Sequence, residues 1–243
     1  MAETHFDEWI AQRYKTLWPE LFDPGLIDST VGFLAALVGG GSALEFGIGT
    51  GRIALPLSRR GVRVHGIELS QPMITQLRSD RDGSNIGVTL GDFATTVVEG
   101  TFDLVYLLRN TITNLTTQTE QVGCFANAAQ HLQPGGTFLV ENYVPELRRL
   151  PPGENSHVFT ATPTHIGVGE YDFVNQIEVS RHWWRIDDEL KAFSSPHRYV
   201  WPSELDLMAR LAGLVPIGRW NDWDRSPFTA GSRSHITVWQ KAA

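Results

Sequence analysis

The sequence predicts an α/β protein: a doubly wound, mostly parallel sheet, preceded by helices and interrupted after its fifth strand by an antiparallel cap. Three observations predict it. Across residues 43–143, short apolar runs alternate with helical patterns, the order of strands joined by crossover helices. Runs such as Leu104-Val105-Tyr106-Leu107-Leu108 show no polar alternation, as in strands covered on both faces. After Pro145 the rhythm changes to short alternating runs, the pattern of half-exposed antiparallel strands.

The elements follow in order. Residues 3–19 predict a helix, with Phe6, Trp9, Ile10 and Tyr14 at helical spacing. A second helix is expected over 24–37, ended by Gly39-Gly40-Gly41. A buried strand over 43–46 leads through a glycine turn to a helix over 52–60, in which Pro56 is expected to cost a backbone bond. The second strand is expected over 62–68, and Ser70 is placed to cap a helix over 72–78. Strands over 86–90 and 102–108 and a helix over 119–132 come next, and Pro134-Gly135-Gly136 turns the chain into a fifth strand over 137–143. In the insert, 176–186 and 191–199 read as strands. A helix over 201–212 and strands over 213–220 and 234–241 bring the sheet to seven strands. The chain is expected to form a single domain over 1–243: helices over 1–38, a core over 39–145, the cap over 146–200, and closing elements over 201–243. A cap of about 50 residues is marginal as an independent core.

Composition narrows the function. Hydrophobic residues make up 42% and charged residues 19%, the balance of a soluble globular protein. No apolar stretch reaches the roughly 18–20 residues that span a bilayer, so no membrane partner is expected. No basic segment leads into an apolar one at the N-terminus, which argues against a secretory signal. Cys124 is the single cysteine, which excludes an intrachain disulfide and a cysteine cluster and makes a cytoplasmic address the default. The histidines and carboxylates show no metal-ligand spacing, so no metal is expected. A net charge of −7 disfavours extended binding to nucleic acid.

The most informative stretch is Glu45-Phe46-Gly47-Ile48-Gly49-Thr50-Gly51-Arg52, at a strand–turn–helix junction. Glycines there let backbone N–H groups approach a ligand closely, and the helix N-terminus favours negative charge. Glu68 ends the next strand, where an acid is placed to accept both hydroxyls of a ribose. A tight turn with no ligand and a nicotinamide or flavin site both compete with this reading, although the latter expects G-x-G-x-x-G rather than G-x-G-x-G. A P-loop is excluded by the lack of Gly-Lys-Ser/Thr.

Glu45-x-Gly47-x-Gly49-x-Gly51 closely resembles the first motif of class I S-adenosylmethionine-dependent methyltransferases. Glu68 resembles their ribose-binding acid, and Gly91-Asp92-Phe93 the position that holds the adenine amino group. Phe102-Asp103-Leu104-Val105 followed by Arg109-Asn110-Thr111 resembles their fourth motif. Leu132-x-Pro134-Gly135-Gly136-x-Phe138 resembles the turn into strand five. The matches fall in order over residues 43–143. Phe6-Asp7-x-x-Ile10-Ala11-x-x-Tyr14 resembles the N-terminal lid helix of small actinobacterial-type methyltransferases, and Arg198-Tyr199-x-Trp201-Pro202-Ser203-Glu204-Leu205 their return from the insert. The resemblance implies a Rossmann-like sheet and S-adenosyl-L-methionine as cofactor. Tyr14, Glu45, Gly47, Gly49, Gly51 and Arg52 would face its amino-acid end, Glu68 its ribose, and Leu69, Met73, Gly91, Asp92 and Phe93 its adenine, with Leu108 and Arg109 closing the site.

Methyl transfer is a displacement in which a protein mainly supplies positioning, exclusion of water and sometimes a base. The acceptor implied is an oxygen or nitrogen of a small molecule. Asn110 and Arg109, at the C-terminal end of strand four, are expected to border the methyl group, and Asn110 is a candidate catalytic residue. In Arg181-His182-Trp183-Trp184-Arg185, alternation places His182 and Trp184 on one strand face. His182 is therefore the candidate base, and Trp184, Tyr143 and Arg198 are candidate acceptor contacts. Packing of these tryptophans onto the core or onto a second copy, in a homodimer, is the competing reading. A scaffold that binds the cofactor without transfer, and an RNA or protein methyltransferase, are alternatives for the whole chain.

Overall fold

A computed structural model of the protein describes residues 5–186 and 188–242; the predicted helix start at Glu3 lies outside the described residues. Helix α1 (Glu8–Leu17) is capped by Asp7, whose carboxylate accepts the Ile10 N–H. A single 3-10 turn, Pro19–Phe22, leads into α2 (Pro24–Val38), which Gly39 ends in a left-handed conformation. There follow β1 (Ser42–Phe46), α3 (Ala54–Arg59), β2 (Arg63–Glu68), α4 (Gln71–Ser79), β3 (Gly87–Leu90), β4 (Phe102–Leu107), α5 (Gln118–His131) and β5 (Leu132–Tyr143). Pro56 stands third in α3. The predicted loss of a backbone bond does not follow, because first-turn N–H groups lack a partner within the helix. Ser70 caps α4, its hydroxyl accepting the Met73 N–H.

The insert holds four strands: β6 (Ser156–Ala161), β7 (His165–Asp172), β8 (Ile177–Ile186) and β9 (Glu189–Arg198). The chain closes with α6 (Pro202–Leu211), β10 (Leu214–Trp220) and β11 (Ser234–Lys241). The main sheet has seven strands in the order β3-β2-β1-β4-β5-β11-β10. Pairs from β3 to β5 are parallel; β11 runs antiparallel to β5 and to β10. The chain winds from β1 outward to β2 and β3, then crosses back to β4. This reversal opens a crevice at the carboxyl ends of β1 and β4, where ligands bind in open α/β sheets.

Apolar layers cover both faces. Phe46, Val105, Phe125, Phe138 and Trp239 pack on one, with Phe125 rings 5.0 and 5.3 Å from Phe138 and Trp239. Val31, Phe33, Leu104, Tyr106 and Val238 pack on the other. Trp220 and Trp223 join that second layer, each ring 5.5 Å from Phe33. The cap forms a separate antiparallel sheet, β6-β7-β8-β9, over the carboxyl ends of the parallel strands.

Candidate active site

The turn after β1 fixes the first wall of the site. Gly47, Gly49 and Gly51 all have φ in the left-handed region, at 70°, 56° and 77°. The N–H groups of Gly47 and Ile48 donate to the Ile67 carbonyl at 2.9 and 3.2 Å, which ties the turn to β2. Glu68, the last residue of β2, accepts the N–H of Gly49 and of Ser70, each at 2.8 Å. Burial raises its pKa and those backbone donors oppose the rise. Beneath the turn, Glu45 accepts the Tyr106 hydroxyl at 2.8 Å. Burial pushes the Glu45 carboxyl up to about 8, against the Tyr106 hydrogen bond and the Arg52 charge. Arg52 donates to the Leu21 carbonyl at 3.1 Å.

These residues enclose a cavity of about 320 Å³. Gly47, Gly49 and Arg52 line one side, Glu45 and Glu68 the floor, and Leu69, Met73, Asp92 and Phe93 the apolar end; Leu108, Arg109 and, from α1, Tyr14 close it. Phe6 binds the cover down: its carbonyl accepts the Ser70 hydroxyl at 2.5 Å. Gly51 and Gly91 are not on the wall. A Cβ on Gly51 would meet Leu77 and Leu55, and one on Gly91 would run into the Thr96 side chain. Both glycines therefore serve close packing behind the cavity.

A second cavity of about 250 Å³ shares Phe6, Tyr14, Arg109 and Thr111 with the first. Asn110, Tyr143, Glu178, Ser180, His182 and His197 complete it. Arg109 and Asn110 have φ of 51° and 60°, a conformation costing roughly 1–2 kcal/mol per non-glycine residue. Strand β5 holds them there. The Arg109 N–H donates to a Glu141 carboxylate oxygen at 2.8 Å, and the Asn110 N–H to the Glu141 carbonyl at 3.1 Å. Asn110 Oδ1 accepts the Tyr143 N–H at 2.8 Å. Its side chain thus braces the loop. Beyond lies a third cavity, about 560 Å³, which shares Tyr143, Glu178 and His182 with the second and opens between α1 and the cap.

His182 uses both ring nitrogens, Nδ1 with His165 Nε2 at 2.8 Å and Nε2 with Ser180 Oγ at 2.9 Å. Burial, together with His165 and His197, lowers its pKa to about 4. His197 is likewise held at about 4, mainly by burial. Two expected acceptor contacts lie off every wall of these cavities. Trp184 is 4% exposed and packs into α1, 5.6 Å from Trp18 and 6.4 Å from Trp9. Arg198 is buried in a polar network, donating to Glu204 at 3.0 Å, Gln121 at 2.6 Å and Gln176 at 2.9 Å. Its charge pairs with Glu204 of α6, and its hydrogen bond to Gln121 joins the return segment to α5. Glu178, Ser180 and Thr113, which also lines the second cavity, are site residues that the sequence pattern does not single out. They stand in alternating or loop segments, with no motif around them.

Similar proteins complete the picture. The structure of the CcbJ methyltransferase from Streptomyces caelestis is 34% identical, with a TM-score of 0.87 over 99% of both chains. The chain belongs to the S-adenosylmethionine-dependent methyltransferase family. A family model described as a methyltransferase domain matches residues 43–136 of this methyltransferase. The cypemycin N-terminal methyltransferase of a Streptomyces species is 29% identical over 83% of this chain and 84% of its own. SAM-bound CalS10, an amino pentose methyltransferase from Micromonospora echinaspora, shares the fold at 20% identity, with a TM-score of 0.66 over 89% and 90% of the two chains.

The cofactor of this methyltransferase is S-adenosylmethionine, and the first cavity suits it chemically. A fixed acidic acceptor, Glu68, stands beside bare-backbone glycines, and an apolar end carries the acid Asp92. Among the described residues, no three or more His, Cys, Asp or Glu are grouped to hold a metal ion. No described helix is long and apolar enough to cross a membrane.

Proposed function

We propose that this methyltransferase alkylates a nitrogen of a small-molecule amine. When bound, S-adenosylmethionine supplies an electrophilic methyl group. The chain's own residues hold and orient. Glu68 accepts the ribose hydroxyls, Asp92 the adenine amino group, and Leu69, Met73 and Phe93 flank the ring. Gly47, Gly49, Arg52, Glu45 and Tyr14 serve the amino-acid end. Leu108, Arg109 and Asn110 border the passage to the second cavity, and Tyr143 and His182 line the acceptor's side. The α1 helix and the cap keep water out.

One observation carries the choice of nitrogen: the two cap histidines and the tyrosine on the second cavity are all tuned away from neutral pH. His182 and His197 are held at about 4, and the Tyr143 hydroxyl is pushed well above its usual range by burial and by Glu178. A hydroxyl acceptor needs a base matched to the working pH. A neutral amine needs none, because its own lone pair forms the new N–C bond and the product keeps its N–H as an ammonium. Two relatives carry an N-terminal and an amino-sugar methyl transfer in their names, which supports the same reading.

The test is a panel of matched acceptors, each amine paired with its hydroxyl analogue and a short peptide amine included, read by release of S-adenosylhomocysteine. Turnover should be confined to amines. Turnover on the hydroxyl partners alone would overturn the proposal. Glu68→Ala should weaken S-adenosylhomocysteine about tenfold to a hundredfold, as expected for a lost charge-assisted hydrogen bond of roughly 1.5–3 kcal/mol.

A further inference from the structure

Glu178 is the one charged side chain on the wall shared by the second and third cavities that has no charged partner among the described residues. Other acids around the same opening are matched: Glu20 with Arg109, and Glu146 with Arg149 and Arg233. Glu170, one strand away, pairs with Arg181. Glu178 instead accepts the Tyr143 hydroxyl at 3.2 Å, and Tyr171 stands directly opposite it on β7. Of the histidines that share its cavity, the two from the cap, His182 and His197, are held by burial at about 4.

The neighbouring strand makes room for this carboxylate. Gly169 on β7 pairs with Ser180, one step diagonal to Glu178. A Cβ on Gly169 would lie 2.6 Å from Glu178 Oε1, so any larger residue would push the acid from its seat. Aromatic faces complete the surroundings: Tyr143, Tyr171, Phe193 and Trp18 line the same two cavities. A half-buried carboxylate beside aromatic rings, with a hydroxyl donor but no cation, is incomplete electrostatically. A ligand cation satisfies both the charge and the ring faces.

We infer that Glu178, with the hydroxyls of Tyr143 and Tyr171, is the recognition site for a cationic aliphatic amine. The inference rests on the nitrogen-acceptor reading and names the substrate class. Aliphatic amines arrive at neutral pH as ammonium ions, release one proton to solvent through the third cavity to free the lone pair that attacks, and leave after methylation as ammonium ions again, so Glu178 meets the charge on arrival and on departure. Aromatic amines and amides, which are neutral at pH 7, are selected against. Tyrosine rather than lysine or arginine around the carboxylate keeps it oriented without neutralising it.

The experiment uses the full chain saturated with S-adenosylhomocysteine and two isosteric probes, protonated N,N-dimethylethanolamine and neutral 3-methylbutan-1-ol. Ligand-observed NMR at pH 7 gives both dissociation constants. The amine should bind at least tenfold more tightly than the alcohol. Glu178→Gln, which still accepts the Tyr143 hydroxyl, should abolish that preference. Gly169→Ala should reduce it without touching any ionisable group. Both variants should bind S-adenosylhomocysteine as the wild type does. Equal binding of the two probes by the wild type, or a preference that survives Glu178→Gln, would overturn the assignment. If the amine preference holds but amines fail as acceptors in the paired panel, the nitrogen reading falls and the cation site stands.

Discussion

His165 Nε2 and His182 Nδ1 lie 2.8 Å apart on adjacent cap strands, with their rings nearly parallel at 14°. A single hydrogen joins the two imidazoles, so at most one of them carries a charge at a time: a second proton between them would set two N–H groups against each other. Ser180 Oγ occupies the other nitrogen of His182, so both of its ring nitrogens are engaged. Glu20 faces His165 and His197 faces His182; the first favours the charged form and the second opposes it.

This pair makes the fold acid-sensitive in a defined window. The unfolded chain protonates His182 near its ordinary 6.5, whereas the folded chain does so only at about 4. Below about 6.5 the unfolded state binds more protons, so stability falls as the pH drops towards 4. His197, also at about 4, adds in the same direction. Urea midpoints measured from pH 7 to 4.5 should decline, and His182→Gln should flatten the decline by on the order of 1–3 kcal/mol. An unchanged slope in the variant would show that the imidazole is not the group responsible.

Glu45 acts with the opposite sign. Its carboxyl titrates at about 8 in the folded chain and near 4.5 when unfolded, so its contribution to stability falls as pH rises between those values. Glu45→Gln keeps an acceptor for the Tyr106 hydroxyl and should stabilise the protein at pH 8 by about 1–3 kcal/mol. The same variant should bind S-adenosylhomocysteine more weakly, because the amino-acid end of the cavity loses its carboxyl. Calorimetry and urea unfolding at pH 8 check both halves; a gain in stability without loss of affinity would remove Glu45 from the binding site.

Gly49 separates backbone strain from crowding. At φ 56° a side chain is disfavoured, yet its Cβ would meet Met73 Cε at 3.4 Å, an ordinary contact. Gly49→Val should therefore leave the fold intact, with a stability loss on the order of 1–2 kcal/mol, and abolish S-adenosylhomocysteine binding by filling the cavity wall. Circular dichroism and calorimetry together decide it. Retained affinity would mean that the loop is only a turn.

Trp184 should behave as a core residue. It stacks on His182 at 4.8 Å and meets Trp18 and Ile10 of the N-terminal segment. Trp184→Ala should cost about 3–5 kcal/mol of stability and speed proteolysis of residues 5–22, while the ratio of amine to alcohol binding stays unchanged. A shifted ratio with normal stability would return Trp184 to the acceptor's surroundings.

The core of the fold was legible because its signals are local. Buried parallel strands such as Phe102–Leu107 write themselves as apolar runs, and a turn needing left-handed backbone writes itself as glycine. The cap was legible only in part. Strand β6 exposes Val158 and Phe159, so its alternation between faces is blurred and its span was not recognised. The sorting of His182 and Trp184 onto one face came from the period of two, but their partners did not. His165 meets His182 diagonally, because Gly167 is the residue directly opposite, and that register is set by the turn after Asp172. Arg198 was misassigned for a similar reason: Gln121, Gln176 and Glu204 reach it from three distant segments. Glu178 carried no signal, since its isolation in charge exists only once the arginines have found other partners.

The position of β11 between β5 and β10 bears on how the molecule is made. Of the seven strands in that sheet, β11 leaves the ribosome last, yet it is an interior strand. Until it arrives, the nascent sheet ends at β5, whose outer edge presents unpaired N–H and C=O groups beside a bare apolar face. Trp239, fully buried against Phe125 and Phe138, is the side chain that seals this face. The cofactor half can assemble during synthesis, but its exposed edge invites another strand, from this chain or a neighbour, until β11 slots in. Truncation before Ser234 should therefore yield aggregates rather than a smaller soluble domain.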